Sequence, residues 1–249
     1  MISVCIPTYN GERFIYKQIN SILLQLSQED EIIISDDSST DKTINIIKSF
    51  LDKRIHLLTN NTFKNPTFNL ENALNHAKGD YIFLADQDDI WKGNKVAILL
   101  KHLANNDLVL SNCNIIDEND KVIHDNYYQY YFQKNKPQLS FFKNLYKNPF
   151  LGCAMAFNRK VMDCALPFPK KIAMHDIWIG NVSLLNYKIQ FIEETLFSWR
   201  RHNNNLTFSI DLPDNELSNN SLYYKIKYRL VILYYLFRNL VFKQYLVKH

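Results

Sequence analysis

FLADQDDIW, residues 83–91, carries three apolar or small residues into Asp86, Gln87, Asp88 and Asp89 and then returns at once to Ile90 and Trp91. Three carboxylates within four positions are expensive to bury, and each raises the cost of ionising the others. They must therefore meet water or share a cation. The residues leading into them, DYIFLAD (80–86), read as a buried strand. Working outward, ISVCIPT (2–8), EIIISDD (31–37), RIHLLTN (54–60) and DLVLSNCNII (107–116) have the same near-continuous apolar, β-branched character. Segments with helical periodicity or capping residues alternate with them at 12–26, 43–51, 66–77 and 94–103. This alternation predicts an α/β fold with a mostly parallel central sheet flanked by helices.

After residue 117 the rhythm breaks. HDNYYQYYFQKNK (124–136) is aromatic and polar without clear periodicity. The spacing then predicts a helix at 139–146, a strand at 150–157, helices at 158–165 and 175–185, and a strand at 188–194. DLPDNELSNN (211–220) reads as a polar linker ahead of a helical tail at 221–249. The expected organisation is one catalytic domain at 1–210, with a nucleotide-binding half at 1–117 and an acceptor-binding half at 118–210.

The chain has 249 residues and a net charge of +4. Six basic and no acidic residues lie in 221–249, so residues 1–220 carry 23 basic and 25 acidic groups. The basicity belongs to the tail, and no nucleic-acid partner is expected. Cys5, Cys113, Cys153 and Cys164 form no Cys-x-x-Cys pair, which points to reduced thiols in a reducing compartment. The start of the chain lacks the character of a signal peptide. No apolar run reaches the ~18 residues that mark a spanning helix. These features predict a cytoplasmic protein.

Ligands of open α/β sheets sit beyond the carboxyl ends of the strands. Three strands end there in polar residues: Thr8, Tyr9 and Asn10; Asp36 and Asp37; and Asp86 to Asp89. Such carboxylates suit a hard divalent cation, Mn²⁺ or Mg²⁺, shared with a diphosphate. The five glycines form neither G-x-G nor a P-loop, so phosphates are not expected in a glycine cradle.

ISVCIPTYNGERFI, EIIISDDSSTDKT and GDYIFLADQDDIW, in that order, resemble family 2 glycosyltransferases of the GT-A fold, which use nucleotide-sugar donors. ADQDDIW is most similar to bacterial rhamnosyltransferase-like members that build surface polysaccharides. The resemblance covers roughly residues 1–205. It implies that Pro7, Thr8, Tyr9, Asp36, Asp37, Asp86 and Gln87 face the nucleotide sugar. It also implies that Asp86 and Asp88 are the Asp-x-Asp pair at the metal, with Asp89 capping a helix or supporting the pair from behind. LGCAMAFNR (151–159) resembles the acceptor-side strand and turn, and MHDIWIG (174–180) the segment bearing the catalytic base. Asp176 is the expected base, and Gly152, His175 and Trp178 are expected on the acceptor side. In SWRRHNNNLT (198–207), Arg200 is expected at the diphosphate and His202 as a further metal ligand. Asn203 stands where the subgroup commonly has Gly.

The implied reaction moves a hexosyl group from a UDP-, dTDP- or GDP-linked sugar to a hydroxyl of a glycan or lipid-linked acceptor, with inversion. The tail interleaves bulky apolar groups with Lys and Arg. It would suit peripheral contact with the inner face of the plasma membrane, or packing on the domain or on another copy of the chain. Two other classes fit an acidic α/β cleft. A sugar-phosphate nucleotidyltransferase is disfavoured by the missing Gly-rich basic loop after the first strand. A non-catalytic scaffold would have no need of Asp86, Asp88 and Asp176 together.

Overall fold

The structure, a computed structural model, describes residues 1–172, 174–202 and 229–238. Its first half is a set of parallel strands: β1 (Ile2–Thr8), β2 (Glu31–Asp36), β3 (Ile55–Leu58) and β4 (Tyr81–Leu84). The crossovers are the helices α1 (Ile15–Leu23), α2 (Thr43–Lys48) and α3 (Pro66–His76). The second half adds β5 (Ile90–Trp91), α4 (Lys95–Leu103), β6 (Leu108–Ile116), β7 (Val122–His124), α5 (Tyr127–Phe132) and α6 (Phe141–Tyr146). A single 3-10 turn (Gly152–Ala154), β8 (Met155–Asn158), α7 (Arg159–Ala165), α8 (His175–Asn186) and β9 (Ile189–Arg200) follow.

Among the described residues the strands form one sheet in the order β3-β2-β1-β4-β8-β6-β9-β5, with β7 on β6. The α/β architecture is the expected one, and the sheet is mixed. Strands β3, β2, β1 and β4 run parallel, as do β6 and β9. Strand β8 enters antiparallel between β4 and β6. The run 150–157 is apolar throughout, but only its second half pairs as a strand, because the chain first makes the turn at Gly152–Ala154.

Strand β1 is buried along nearly its whole length, as its sequence demands. Helix α1 is shorter than its periodicity suggests, because the N–H groups of Phe14 and Ile15 both bond Gly11 O in the entering turn. Helix α3 starts where Asn65 Oδ1 accepts the Thr67 N–H, with Pro66 in the first turn, an N-cap arrangement. The unpatterned aromatic stretch also folds. Asn126 Oδ1 accepts the Gln129 N–H to start α5, and fully buried Tyr128 donates its hydroxyl to Pro149 O at 2.9 Å. Six residues are too few to show a 3.6-residue period.

The proposed linker 211–220 lies outside the described residues. Of the tail, residues 229–238 are helical. Ile232 and Leu236 turn inward and join the hydrophobic core, while Arg229 Nε donates to Leu145 O at 2.6 Å. Leu230, Leu233, Tyr234 and Phe237 remain exposed on this helix. Among the described residues, no helix is long and apolar enough to cross a membrane.

Candidate active site

The acidic turn is pinned at both ends. Strand β4 is paired to β1, while β5, two residues long, pairs Ile90 with Ser198 and Trp91 with Phe197 on β9. Helix α1 braces the turn from beneath. Buried Gln18 donates Nε2 to Asp86 O at 2.8 Å, and Ser21, one turn on, accepts the Trp91 N–H at 3.0 Å. The α1 pattern reads as amphipathic in the sequence, but nothing there says that these two polar side chains hold the turn.

Asp88 and His202 are brought together, with Oδ2 and Nε2 2.9 Å apart. The imidazole also lies against Phe14, ring centroids 4.9 Å apart. Asp86 is half-buried, and its carboxyl is pushed up to about 6 by burial and then by the charge of Asp88. Asp89 is fully buried. Its Oδ1 accepts the Arg200 N–H at 3.0 Å, and burial plus the charges of Asp88 and Asp86 raise its carboxyl well above the usual range. It supports the turn from inside, as expected.

The internal counter-charge is Lys95, which sequence reasoning missed. Its position at the start of α4 suggests a solvated residue, yet it is fully buried. Nζ donates to Cys153 O at 2.8 Å and sits over the rings of Trp91 and Phe197 at 4.3 and 4.1 Å. Burial lowers its ammonium to about 8, against the opposing pull of Asp89 and Asp86.

The nucleotide side is built from the ends of β1 and β2. Gln87 clamps the loop after β1 in both directions: Oε1 accepts the Tyr9 N–H at 3.0 Å and Nε2 donates to Tyr9 O at 3.1 Å. A Cβ on Gly11 would lie 2.5 Å from Gln87 Oε1, so a side chain there would push the Gln87 amide out of this clamp. Tyr9 is exposed and Pro7 half-buried at the mouth. Asp37 Oδ1 accepts the Phe63 N–H at 2.6 Å, and the Asp37 N–H bonds Thr8 O. Two residues expected at the nucleotide turn inward instead. Asp36 is fully buried, and its carboxylate accepts from Thr8 Oγ1, Ser39 N and Ser39 Oγ. Thr8 is buried with it. Both shape the loop and leave the mouth to Pro7, Tyr9 and Asp37.

On the acceptor side, Asp176 opens α8 and is half-buried. Asn148 Nδ2 donates to its Oδ2 at 3.1 Å and the Ile177 N–H to its Oδ1 at 2.7 Å. Its carboxyl is nevertheless pushed up to about 7, first by burial and further by the charge of Asp86. His175 is buried, and burial lowers its imidazole to about 4, so the ring is neutral at physiological pH. A Cβ on Gly152 would lie 2.7 Å from His175 Nε2, so Gly152 makes room for that ring.

Two expectations are corrected. Trp178 does not line an acceptor surface: it is fully buried and donates Nε1 to Ala165 O at 2.8 Å, because it lies on the inner face of α8. Arg200 does not open onto a diphosphate. Its buried guanidinium donates to Asp88 O (2.7 Å) and Asp117 O (2.8 Å), pairs with Asp120 Oδ1 (2.6 Å) and packs over the Phe14 ring. A strand-end Arg in the sequence carries no sign of whether its fork points into the cleft or beneath it.

The donors facing the cleft fit a hard divalent cation. Asp88 and His202, 2.9 Å apart, offer an oxygen and a nitrogen, and Asp86 stands two residues from Asp88 on the same turn, though the three do not bring ligand atoms within 4.8 Å of one another. Asp86, Asp89 and Cys153 do bring ligand atoms within 4.8 Å of one another. That group suits Mn²⁺ or Mg²⁺ poorly, because the buried Cys153 thiol is held well above its ordinary range and stays protonated.

A strand-end cleft of this kind, with an acidic turn and a half-buried carboxylic acid, is a candidate transferase site. Residues 3–166 match the model of glycosyl transferase family 2, and the chain belongs to that family. It is 30% identical over 195 residues, 75% of this chain and 73% of the relative, to the Escherichia coli UDP-Glc:alpha-D-GlcNAc-diphosphoundecaprenol beta-1,3-glucosyltransferase WfgD. It is 37% identical to E. coli WfaP, a glucosyltransferase of the same description, over 49% of each chain. The fold is similar to that of S. aureus TarS in complex with UDP-GlcNAc, with a TM-score of 0.67 and 18% identity over 93% of this chain and 66% of that one. It is also similar to mannosyltransferase PcManGT from Pyrobaculum calidifontis, in complex with GDP-Man and Mn²⁺. There the TM-score is 0.61 and the identity 18%, over 82% of this chain and 57% of that one.

Proposed function

We propose that this chain is an inverting hexosyltransferase of bacterial surface-polysaccharide synthesis, acting on a glycan or lipid-linked acceptor at the inner face of the plasma membrane. The observation that carries the reading is the Asp88–His202 contact on the acidic turn, together with an Asp176 carboxyl that feels the charge of Asp86 and is pushed up to about 7. A base poised near the working pH combines a useful ionised fraction with real basicity.

Pro7, Tyr9 and Asp37 hold the nucleoside, and the Gln87 clamp fixes the loop that carries Tyr9. The acceptor hydroxyl lies at Asp176, which takes its proton as the new oxygen–carbon bond forms at the anomeric carbon. The bond from that carbon to the diphosphate oxygen breaks on the opposite face, so one displacement inverts configuration. Asp86, Asp88 and His202 would hold Mn²⁺ or Mg²⁺, which supplies positive charge for the departing diphosphate. Asn148 and the Ile177 N–H keep the base aimed while it is ionised. The diphosphoundecaprenol acceptor named for WfgD supports a lipid-linked acceptor here.

The test is release of nucleoside diphosphate from a panel of UDP-, dTDP- and GDP-sugars, with Mn²⁺, Mg²⁺ or EDTA, in the presence of a sugar-diphospholipid acceptor. Metal-dependent release from one donor, with product of inverted anomeric configuration, is expected. Release of pyrophosphate from a nucleoside triphosphate and a sugar phosphate would replace this reading with the nucleotidyltransferase one. Failure to bind any nucleoside diphosphate by calorimetry would leave the scaffold.

A further inference from the structure

Between Asp125 and Asp163 the chain holds six basic residues and no acidic one, within a domain that is otherwise acidic. Four of them, Lys134, Lys136, Lys143 and Lys147, line a cavity of about 430 Å³ together with Phe132 and Phe142. No carboxylate lines it. Lys143 donates to Gln138 Oε1 at 2.6 Å, and Lys147 donates to Tyr131 O at 2.8 Å while lying over the Phe132 ring. Both partners are neutral. Four ammonium groups around one hollow repel one another, and among the described residues nothing anionic relieves them. An anion with several charges would.

The cavity adjoins the proposed base. Lys147 and Pro149 belong to its wall and flank Asn148, the residue that donates to Asp176. The surroundings are apolar on the outer side. Phe142 is 80% exposed on α6, and α6 also carries the 229–238 helix through Arg229 and Leu145 O. On that helix Leu230, Leu233, Tyr234 and Phe237 are exposed at i, i+3, i+4 and i+7, one face of a helix.

We propose that the Lys134–Lys136–Lys143–Lys147 cavity is an anion site that holds the diphosphate of a lipid-linked sugar acceptor, with the lipid leaving over Phe142. The proposal rests on the transferase reading above. Charge selects the ligand: a diphosphate carries several charges close together, which suits a ring of point cations.

The test is calorimetric titration of the full chain and of the double variant Lys134→Gln/Lys136→Gln with dodecyl diphosphate. Parallel arms use UDP, dTDP or GDP with Mn²⁺, and vesicles of phosphatidylglycerol or phosphatidylcholine. Both lysines are exposed, and the nucleotide arm reports whether the variant's cleft is intact. Expected is dodecyl diphosphate binding at least tenfold weaker in the variant, falling with added salt, with nucleotide binding unchanged. Equal affinity of wild type and variant for dodecyl diphosphate would overturn the proposal. So would binding of phosphatidylglycerol vesicles without binding of dodecyl diphosphate, which would make the lysines a general membrane patch. If wild type binds neither UDP nor dTDP nor GDP in the nucleotide arm, the transferase reading falls, while the alkyl diphosphate arm still decides the cavity.

Discussion

His202 Nε2 lies 2.9 Å from Asp88 Oδ2, across 114 positions of sequence. The pair forms because β9 runs back along β6 and pairs with β5, delivering residue 202 to the turn that β5 ends. It joins the segment just after β9 to the Asp-x-Asp segment.

This pair predicts a shared role in metal-dependent donor binding. Asp88→Asn is expected to lower turnover at least about a hundredfold, and His202→Ala about tenfold. Both should weaken Mn²⁺-dependent UDP binding by calorimetry while leaving the circular dichroism spectrum unchanged. Normal Mn²⁺ dependence in His202→Ala would remove the imidazole from the metal site.

Asp176 predicts a pH signature. The base acts when ionised, so kcat/KM should rise with pH through an ionisation near 7. Asp176→Asn should lose that limb and at least about a hundredfold in turnover. Stability moves the other way. The folded carboxyl is raised above its unfolded value of 3.8, so the folded state binds the proton more tightly, and stability is lost as pH climbs through about 7. Asn carries no such cost. Asp176→Asn should therefore melt higher than wild type at pH 8, by roughly 2–4 °C for each kcal/mol relieved, and the gap should shrink toward pH 5.

Arg200 is a strut in this structure, and Arg200→Lys separates the strut from a diphosphate contact. Lysine keeps the charge but lacks the fork that reaches Asp88 O, Asp117 O and Asp120. A buried carbonyl left without its donor costs about 1–3 kcal/mol. Urea denaturation should show a loss of that size. An unchanged midpoint with a raised donor KM would restore the diphosphate role.

Lys95 predicts an effect without touching substrate. Lys95→Met keeps length and removes the buried cation that feels the charges of Asp89 and Asp86. Cys153 O loses its donor, which costs about 1–3 kcal/mol for a buried carbonyl. Chemical denaturation should show it, and Mn²⁺-dependent UDP binding should weaken as the turn shifts. An unaltered denaturation midpoint would mean that the turn does not need this counter-charge.

The features legible before folding are local or periodic. The apolar runs ending in Asp37 and Asp86 could only be buried strands with polar ends, since their side chains are too apolar for the surface and their termini too charged for the core. That places Pro7, Tyr9, Asp37, Asp86 and Asp88 at one strand-end cleft. Asp176 at the start of a helix was equally legible. Tertiary structure alone decided direction and partner. Arg200 and Trp178 turn inward because β9 and α8 bury those faces, and one polar residue in a strand or helix looks the same whichever way it points. Lys95 becomes a core cation because α4 packs under Trp91 and Phe197. His202 reaches Asp88 through a pairing of distant strands, and β5, being two residues long, has no period to read. Local chemistry fixes which residues can bear charge, whereas long-range packing fixes which charges meet.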